Sequence, residues 1–204
     1  VLIKGSPMLD ISAIIRELPY VTEIAVVALN NECKEILTYL EYGYQGEVII
    51  CADNIITKRE ERVSSFSSTI DKESAAVVKF ADKIEGYLHI PNRAILKAGF
   101  FKTVSEYFSL LKIAKSSHIY TSDIIPENFP GRTLKVIEVI DFNKKGIKEV
   151  SQKYPKANIA TYNFPIPAQE LSKRLKIEDG GNIFIIASTL NDHSKVLILS
   201  QENN

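Results

Sequence analysis

Glu23-Ile-Ala-Val-Val-Ala-Leu29, then Asn30-Asn31-Glu32, then Ile36-Leu-Thr-Tyr-Leu-Glu-Tyr42 is the stretch on which the fold reading turns. The first run is almost wholly apolar and holds two adjacent valines, the pattern of a buried strand. The asparagines supply turn chemistry. In the last run Ile36, Thr38, Leu40 and Tyr42 alternate with Leu37, Tyr39 and Glu41, a period of two. We read Ile36–Tyr42 as a strand hairpinned back on Glu23–Leu29. A helix from Glu32 to Leu40 is the competing reading.

Working outward, Val1–Lys4 reads as a short buried strand that Ser6-Pro7 breaks. Leu9, Ile11, Ile14, Ile15 and Leu18 recur at helical spacing, with Asp10 or Ser12 as cap and Pro19 as stop. Strand, helix, strand in that order suggests a parallel pair joined by a right-handed crossover. Gly43 and Gly46 then precede another apolar strand, Glu47–Ala52 (EVIICA). The chain opens at Val1, inside a strand and with no initiator Met or signal-peptide pattern. We read it as the C-terminal part of a longer protein.

Further along, Ile55–Thr69 is polar and reads as one or two exposed strands. A helical window opens at Asp71, runs through Ala75, Ala76, Val78 and Ala81, and ends by Gly86. Tyr87–Ile90 is a strand stopped by Pro91. Asn92 then caps one long helix with Leu96, Phe100, Val104, Tyr107, Phe108 and Leu111 on a single face. His118–Thr121 is a short strand. Residues 124–204 read β-α-β-α-β-β: Thr133–Asp141, Lys144–Tyr154, Asn158–Phe164, Ala168–Leu175, Ile183–Thr189 and Lys195–Ser200. Pro126 and Phe129-Pro130-Gly131 mark a boundary before that last unit.

Over 204 residues, 45% are hydrophobic and 25% charged, and the formal net charge is zero. That is the balance of a soluble globular protein, with no run near the roughly 18 apolar residues of a membrane span. The zero hides a gradient: residues 1–52 carry net −4, 53–130 net +1 and 131–204 net +3. Two cysteines, Cys33 and Cys51, are read as too few for a disulfide scaffold or a four-ligand zinc site, so a reduced, cytoplasmic setting is expected.

Motifs for catalysis are sparse. His89, His118 and His193 do not stand at metal-ligand spacing, and no metal is expected. Gly5-Ser6-Pro7 lacks the second glycine of a nucleophile elbow. Cys33 lies beside Glu32 and Glu35, which would raise its pKa, so a hydrolase using Ser6 or Cys33 is disfavoured. Neither phosphate-loop glycine pattern occurs. Basic residues gather late: Lys144, Lys145, Lys148, Lys153 and Lys156, then Lys173, Arg174 and Lys176. A Lys-rich helix face could lie along phosphates, and Tyr154, Tyr162 and Phe164 could stack bases if exposed. A solvated helix face explains the same pattern.

Several phrases, taken together, carry a family resemblance: Ile3-Lys-Gly-Ser-Pro-Met-Leu-Asp-Ile11, Asn31-Glu-Cys-Lys-Glu35, Tyr87-Leu-His-Ile-Pro-Asn92 with Lys97-Ala98-Gly99, His118-Ile-Tyr-Thr-Ser-Asp123, Phe129-Pro-Gly-Arg132 and Asp179-Gly180-Gly181. In this order they resemble the C-terminal part of a bacterial family of class I S-adenosylmethionine-dependent methyltransferases. That family carries a ferredoxin-like and a THUMP-like unit after the catalytic domain. The resemblance implies a mixed α/β and α+β fold. Residues 1–52 would be the truncated end of a Rossmann-like sheet, 53–123 the ferredoxin-like unit and 124–204 the THUMP-like unit.

It also implies that S-adenosylmethionine serves the full-length protein, with the cofactor loop upstream and no cofactor expected in this fragment. Catalytic residues would lie upstream too. Ser6, Pro7 and Asp10, after a strand at the carboxyl edge of the sheet, become candidate substrate-side residues, against a plain role as strand stop and helix cap. By analogy with THUMP units elsewhere, the last unit would hold RNA, transfer RNA or ribosomal RNA, through Lys144, Lys145, Lys173, Arg174 and Lys176. The competing function is a non-enzymatic protein-interaction module.

Overall fold

The computed structural model of the chain describes residues 1–57 and 62–202. It divides into two compact units. The first holds Val1–Val78, Pro91–Ser109 and Asn128–Gly131; the second holds Lys79–Ile90, Leu110–Glu127 and the chain from Arg132 on.

The first unit is built on a five-stranded sheet. Its strands are β1 (Leu2–Gly5), β2 (Val21–Leu29), β3 (Glu32–Leu40), β4 (Ile49–Ile56) and β5 (Arg62–Ser68), in the order β1-β3-β2-β4-β5. The hairpin reading of residues 23–42 holds. Asn30 and Asn31 both take positive φ, 49° and 67°, as a tight two-residue turn with the twist of paired strands requires. β3 starts at Glu32, directly after the turn, and the helical alternative is overturned. Ile24, Val26 and Ala28 of β2 and Ile36 of β3 are fully buried.

The expected buried strand at the start is instead an exposed edge. Among the described residues β1 pairs with β3 alone, and Val1, Leu2 and Ile3 remain 87%, 56% and 40% exposed. β1 and β2 run in the same direction but are not neighbours, because β3 lies between them, antiparallel to both. β2 pairs in parallel with β4 on its other side. Helix α1 (Ile11–Glu17) links β1 to β2, and Asp10 caps it by accepting the Ala13 N–H at 2.8 Å. β4 runs on to Ile56 and pairs antiparallel with β5; residues 58–61 of the expected Ile55–Thr69 strands lie outside the described residues.

Helix α2 (Ile70–Ala75) is much shorter than the window to Gly86. From Lys79 the chain belongs to the second unit, where Ala81 N–H donates to Lys112 O and Lys112 N–H to Lys79 O. These pairings replace helix propagation. The expected long helix from Asn92 is two short ones, α3 (Arg93–Ala98) and α4 (Thr103–Tyr107). Gly99 ends α3 with φ of 80°, a left-handed cap. A distant carboxylate then claims the next amides: Glu73 accepts from Phe101, Lys102 and Thr103 N–H at 2.8–3.1 Å and from Thr103 Oγ1 at 2.7 Å.

The second unit is built on a seven-stranded sheet. Its strands are β6 (Tyr87–Pro91), β7 (Leu111–Lys112), β8 (Tyr120–Ser122), β9 (Gly131–Asp141), β10 (Asn158–Tyr162), β11 (Ile183–Thr189) and β12 (Lys195–Glu202). The order is β10-β11-β12-β9-β6-β8-β7. With helices α5 (Lys144–Lys153) and α6 (Ala168–Leu175), residues 131–202 form the β-α-β-α-β-β series read from the sequence. β10 and β11 are parallel; β12 is antiparallel to both β11 and β9.

Both faces of the central strands are covered. Ile185, Ala187, Leu197 and Leu199 pack with Val150 of α5 and Leu171 and Leu175 of α6. The alternate residues Ile186, Val196 and Ile198 pack with Leu88, Ile113, Ile119 and Leu134. Each such Leu or Ile contributes about 2–3 kcal/mol by leaving water. Among the described residues no helix is long and apolar enough to cross a membrane.

Candidate functional site

α5 and α6 lie on one face of β10, β11 and β12, and their burial pattern decides which side chains point to solvent. Asn143 caps α5 by accepting the Gly146 N–H at 2.9 Å. Gly146 and Val150 face the core, with Ile147 and Tyr154 packed beside them. Lys144, Lys145, Lys148 and Gln152 are left outside. In α6, Leu171 and Leu175 face the core and Lys173 and Arg174 face water. Lys176 closes the helix in the left-handed region, φ 53°. Ser151 of α5 donates its hydroxyl to Leu175 O at 2.5 Å, tying the two helices together.

The basic residues divide by partner. Lys153 is held by Glu138 at 2.8 Å and lies 3.6 Å from Glu149. The Lys153 ammonium and the Tyr154 hydroxyl keep the Glu138 carboxyl below its ordinary range. Arg174 pairs with Glu170 at 2.9 Å within α6. Lys144, Lys145, Lys148, Lys173 and Lys176 have no ion pair among the described residues. Lys145, Lys148, Glu149, Gln152 and Lys153 line a shallow open groove along α5. The stacking option fails its condition. Tyr154 donates to Glu138, Phe164 packs edge-on to Phe142 at 5.0 Å, and Tyr162 packs against the opposite core, so all three aromatics serve packing.

In the first unit the carboxyl ends of β1, β2 and β4 share one end of the sheet, because all three strands run the same way. Ser6, Pro7 and Asp10 are there, in the loop leaving β1. Ser6 Oγ accepts the Met8 N–H at 3.2 Å and Asp10 caps α1, the plain structural roles weighed for them. The Asn30-Asn31 turn is beside β4: Asn31 N–H donates to Asn54 Oδ1 at 2.8 Å, and Asn30 Nδ2 to Thr57 Oγ1 at 2.9 Å.

Helix α3 is clamped to the same end. Arg93 N–H donates to Asn31 Oδ1 at 2.7 Å, Cys33 Sγ donates to Arg93 O at 3.3 Å, and Lys97 Nζ donates to Leu9 O at 2.7 Å. Burial raises the Cys33 thiol pKa, and the charges of Lys97 and Arg93 oppose it. The cause therefore differs from the flanking carboxylates expected. Cys51 is pushed up to about 11 by burial and by Glu23 and Asp53. Arg93 and Lys97 had no signal in the sequence beyond their i, i+4 spacing, since Asn31 and Leu9 are far from them along the chain.

The histidines are apart. His89 is fully buried between Thr133 and Ser122, and burial lowers its pKa to about 4. His193 is exposed in the β11–β12 connection with φ of 66°. Among the described residues no three His, Cys, Asp or Glu side chains gather as a metal site would need.

Comparison with known proteins gives two adjoining family matches. Residues 87–130 match a ferredoxin-like domain. Residues 131–202 match a THUMP domain-like family. A crystal structure of a putative methyltransferase from Porphyromonas gingivalis W83 is 35% identical in sequence, with a TM-score of 0.93. It aligns with all of this chain, which spans 51% of the Porphyromonas gingivalis chain, about half its length. No curated protein matches. The fold is therefore mixed α/β, with a ferredoxin-like and a THUMP-like part.

Proposed function

We propose that this chain is the substrate-handling portion of an S-adenosylmethionine-dependent methyltransferase, that it grips RNA through the α5–α6 face, and that it is inactive alone. The observation that carries the RNA half is the set of uncompensated lysines on that face, Lys144, Lys145, Lys148, Lys173 and Lys176, within the THUMP-like match. Cations without internal partners are free to replace counterions on phosphates. Arg174 joins them on exposure of its guanidinium, shared with Glu170.

The methyltransferase half is supported by likeness to the Porphyromonas gingivalis protein and by the β1-β3-β2 order, which fits the resemblance to the end of a Rossmann-like sheet with its antiparallel hairpin. On this reading residues 1–52 end that sheet, 53–123 hold the ferredoxin-like unit and overlap the matched 87–130, and 124–204 hold the THUMP-like unit. S-adenosylmethionine would be held by the rest of the longer protein, with Ser6, Pro7 and Asp10 on the substrate side. Transfer or ribosomal RNA in a bacterial cytoplasm is the partner class we assign.

Two titrations test the reading. Fluorescence anisotropy with a structured RNA should give affinity that falls steeply with salt and is lost on charge reversal at Lys173, Arg174 and Lys176 without loss of fold. Calorimetry with S-adenosylmethionine should give no heat of binding, and tight binding would reject the assignment of the cofactor site elsewhere. The exposed apolar edge of β1 is what a truncated sheet predicts; it would also serve the second reading, a protein-interaction module, which flat or absent RNA binding would support.

A further inference from the structure

We propose that Arg93 and Lys97 form an anion subsite that takes a phosphate group at the carboxyl ends of β1 and β2. The inference is independent of the RNA-gripping face and rests on the first unit alone.

Position is the first argument. Ligands of open α/β sheets gather outside the carboxyl ends of parallel strands. Arg93 is fixed there through its backbone, N–H to Asn31 at the end of β2 and C=O to the Cys33 thiol. Lys97 is fixed by its ammonium on Leu9 O, in the loop that leaves β1. One turn of α3 separates the two residues, so their side chains share a face about 6 Å apart along the axis. Both charges act on the Cys33 thiol, which itself donates to Arg93 O at 3.3 Å.

Charge is the second argument. The acidic side chains near that end of β3 are already matched: Glu32 with Lys34 at 2.8 Å and Glu35 with Lys4 at 2.6 Å. Asp10 is engaged as the cap of α1. The Arg93 guanidinium is exposed and has no partner among the described residues, and the Lys97 ammonium uses one of its three protons on Leu9. A planar fork on the same helix face as a point charge suits a phosphate, which takes bidentate bonds from the first and one from the second. The amides at the start of α3 are not part of the site, because Arg93 N–H and Ile95 N–H are taken by Asn31 and Asn92.

Cys33 is a built-in reporter. An anion on Arg93 and Lys97 removes the positive field at the thiol and so slows its alkylation. Cys51, pushed up to about 11, serves as internal reference. The experiment is site-resolved iodoacetamide labelling at pH 8 of the whole chain, with pyrophosphate, adenosine monophosphate or an RNA oligonucleotide as probes.

We expect saturating pyrophosphate to slow Cys33 about threefold or more and leave Cys51 unchanged. Protection by adenosine monophosphate as well assigns a free nucleotide; protection by the oligonucleotide assigns a nucleic-acid phosphate. Arg93→Gln and Lys97→Gln should abolish protection, and Arg93→Lys should weaken it. No protection by any probe, or equal protection in the Gln variants with native circular dichroism, overturns the subsite.

Discussion

His89 Nε2 lies 2.8 Å from Ser122 Oγ, and Ser122 gives its own proton to Ile124 O at 2.5 Å. A hydroxyl has one proton, so Ser122 must accept from His89 and Nε2 carries a proton; Nδ1 faces Thr133 Oγ1 at 3.0 Å. Burial, which lowers its pKa to about 4, keeps the ring neutral near pH 7, with Nδ1 then accepting from Thr133.

A neutral buried histidine makes the fold acid-sensitive. Its pKa is about 4 when folded against an ordinary 6.5, so the unfolded chain takes up the proton first as pH falls. The stabilisation is complete above about pH 6.5 and is lost progressively toward pH 4, roughly 2 kcal/mol between pH 7 and pH 5. Urea midpoints at the two pH values check this. His89→Gln should lower stability at pH 7 and flatten the loss between them.

Gly99 and Gly146 should respond to alanine for different reasons. At Gly99 nothing lies within 4 Å of an added Cβ, so Gly99→Ala meets only the left-handed backbone, about 1 kcal/mol. At Gly146 an added Cβ would run into Asp141 O and fall 2.8 Å from Ile140 Cγ2. Gly146→Ala should therefore cost about 2–3 kcal/mol despite better helix propensity. Thermal unfolding should rank the two in that order.

Glu73 holds the start of α4 with both carboxylate oxygens. Glu73→Ala strands the amides of Phe101, Lys102 and Thr103 and should destabilise by about 2–3 kcal/mol. Glu73→Gln keeps one acceptor oxygen and should lose about half as much. Chemical denaturation of the first unit, followed by hydrogen exchange at these amides, measures both.

The lysines of α5 give a quantitative form of the RNA reading. Each phosphate contact adds a little under one to the slope of log affinity against log salt. Reversing Lys144, Lys145 and Lys148 together should make that slope shallower by about 2–3 while leaving the melting temperature within a few degrees. An unchanged slope would remove α5 from the interface.

Local chemistry was legible in the sequence. Asp10 as cap, Pro19 as stop, the Asn30-Asn31 hairpin and the series from Thr133 onward each depend on residues close in the chain. The misreadings have a common cause in distant partners. The face from Leu96 to Leu111 has good helical spacing, yet Gly99 breaks it and Glu73, some thirty positions earlier, caps the second piece. Val1–Ile3 is apolar enough for a core strand, but apolarity does not say how many neighbours a strand has, and among the described residues β1 has one. The cations of α5 were visible by composition. Arg93 and Lys97 were not distinguished from other surface charge, because Asn31, Cys33 and Leu9 meet them only after folding.

β6 stands directly beside β9 in the seven-stranded sheet, although the family matches change over between residues 130 and 131. Scissors applied at that seam would strip β9 of a hydrogen-bonding neighbour and uncover Leu134, Ile186, Val196 and Ile198 to water. The heredity of the two stretches and their mechanical integrity thus follow different lines, and a soluble excised THUMP-like piece would have to carry β6 to β8 along with it.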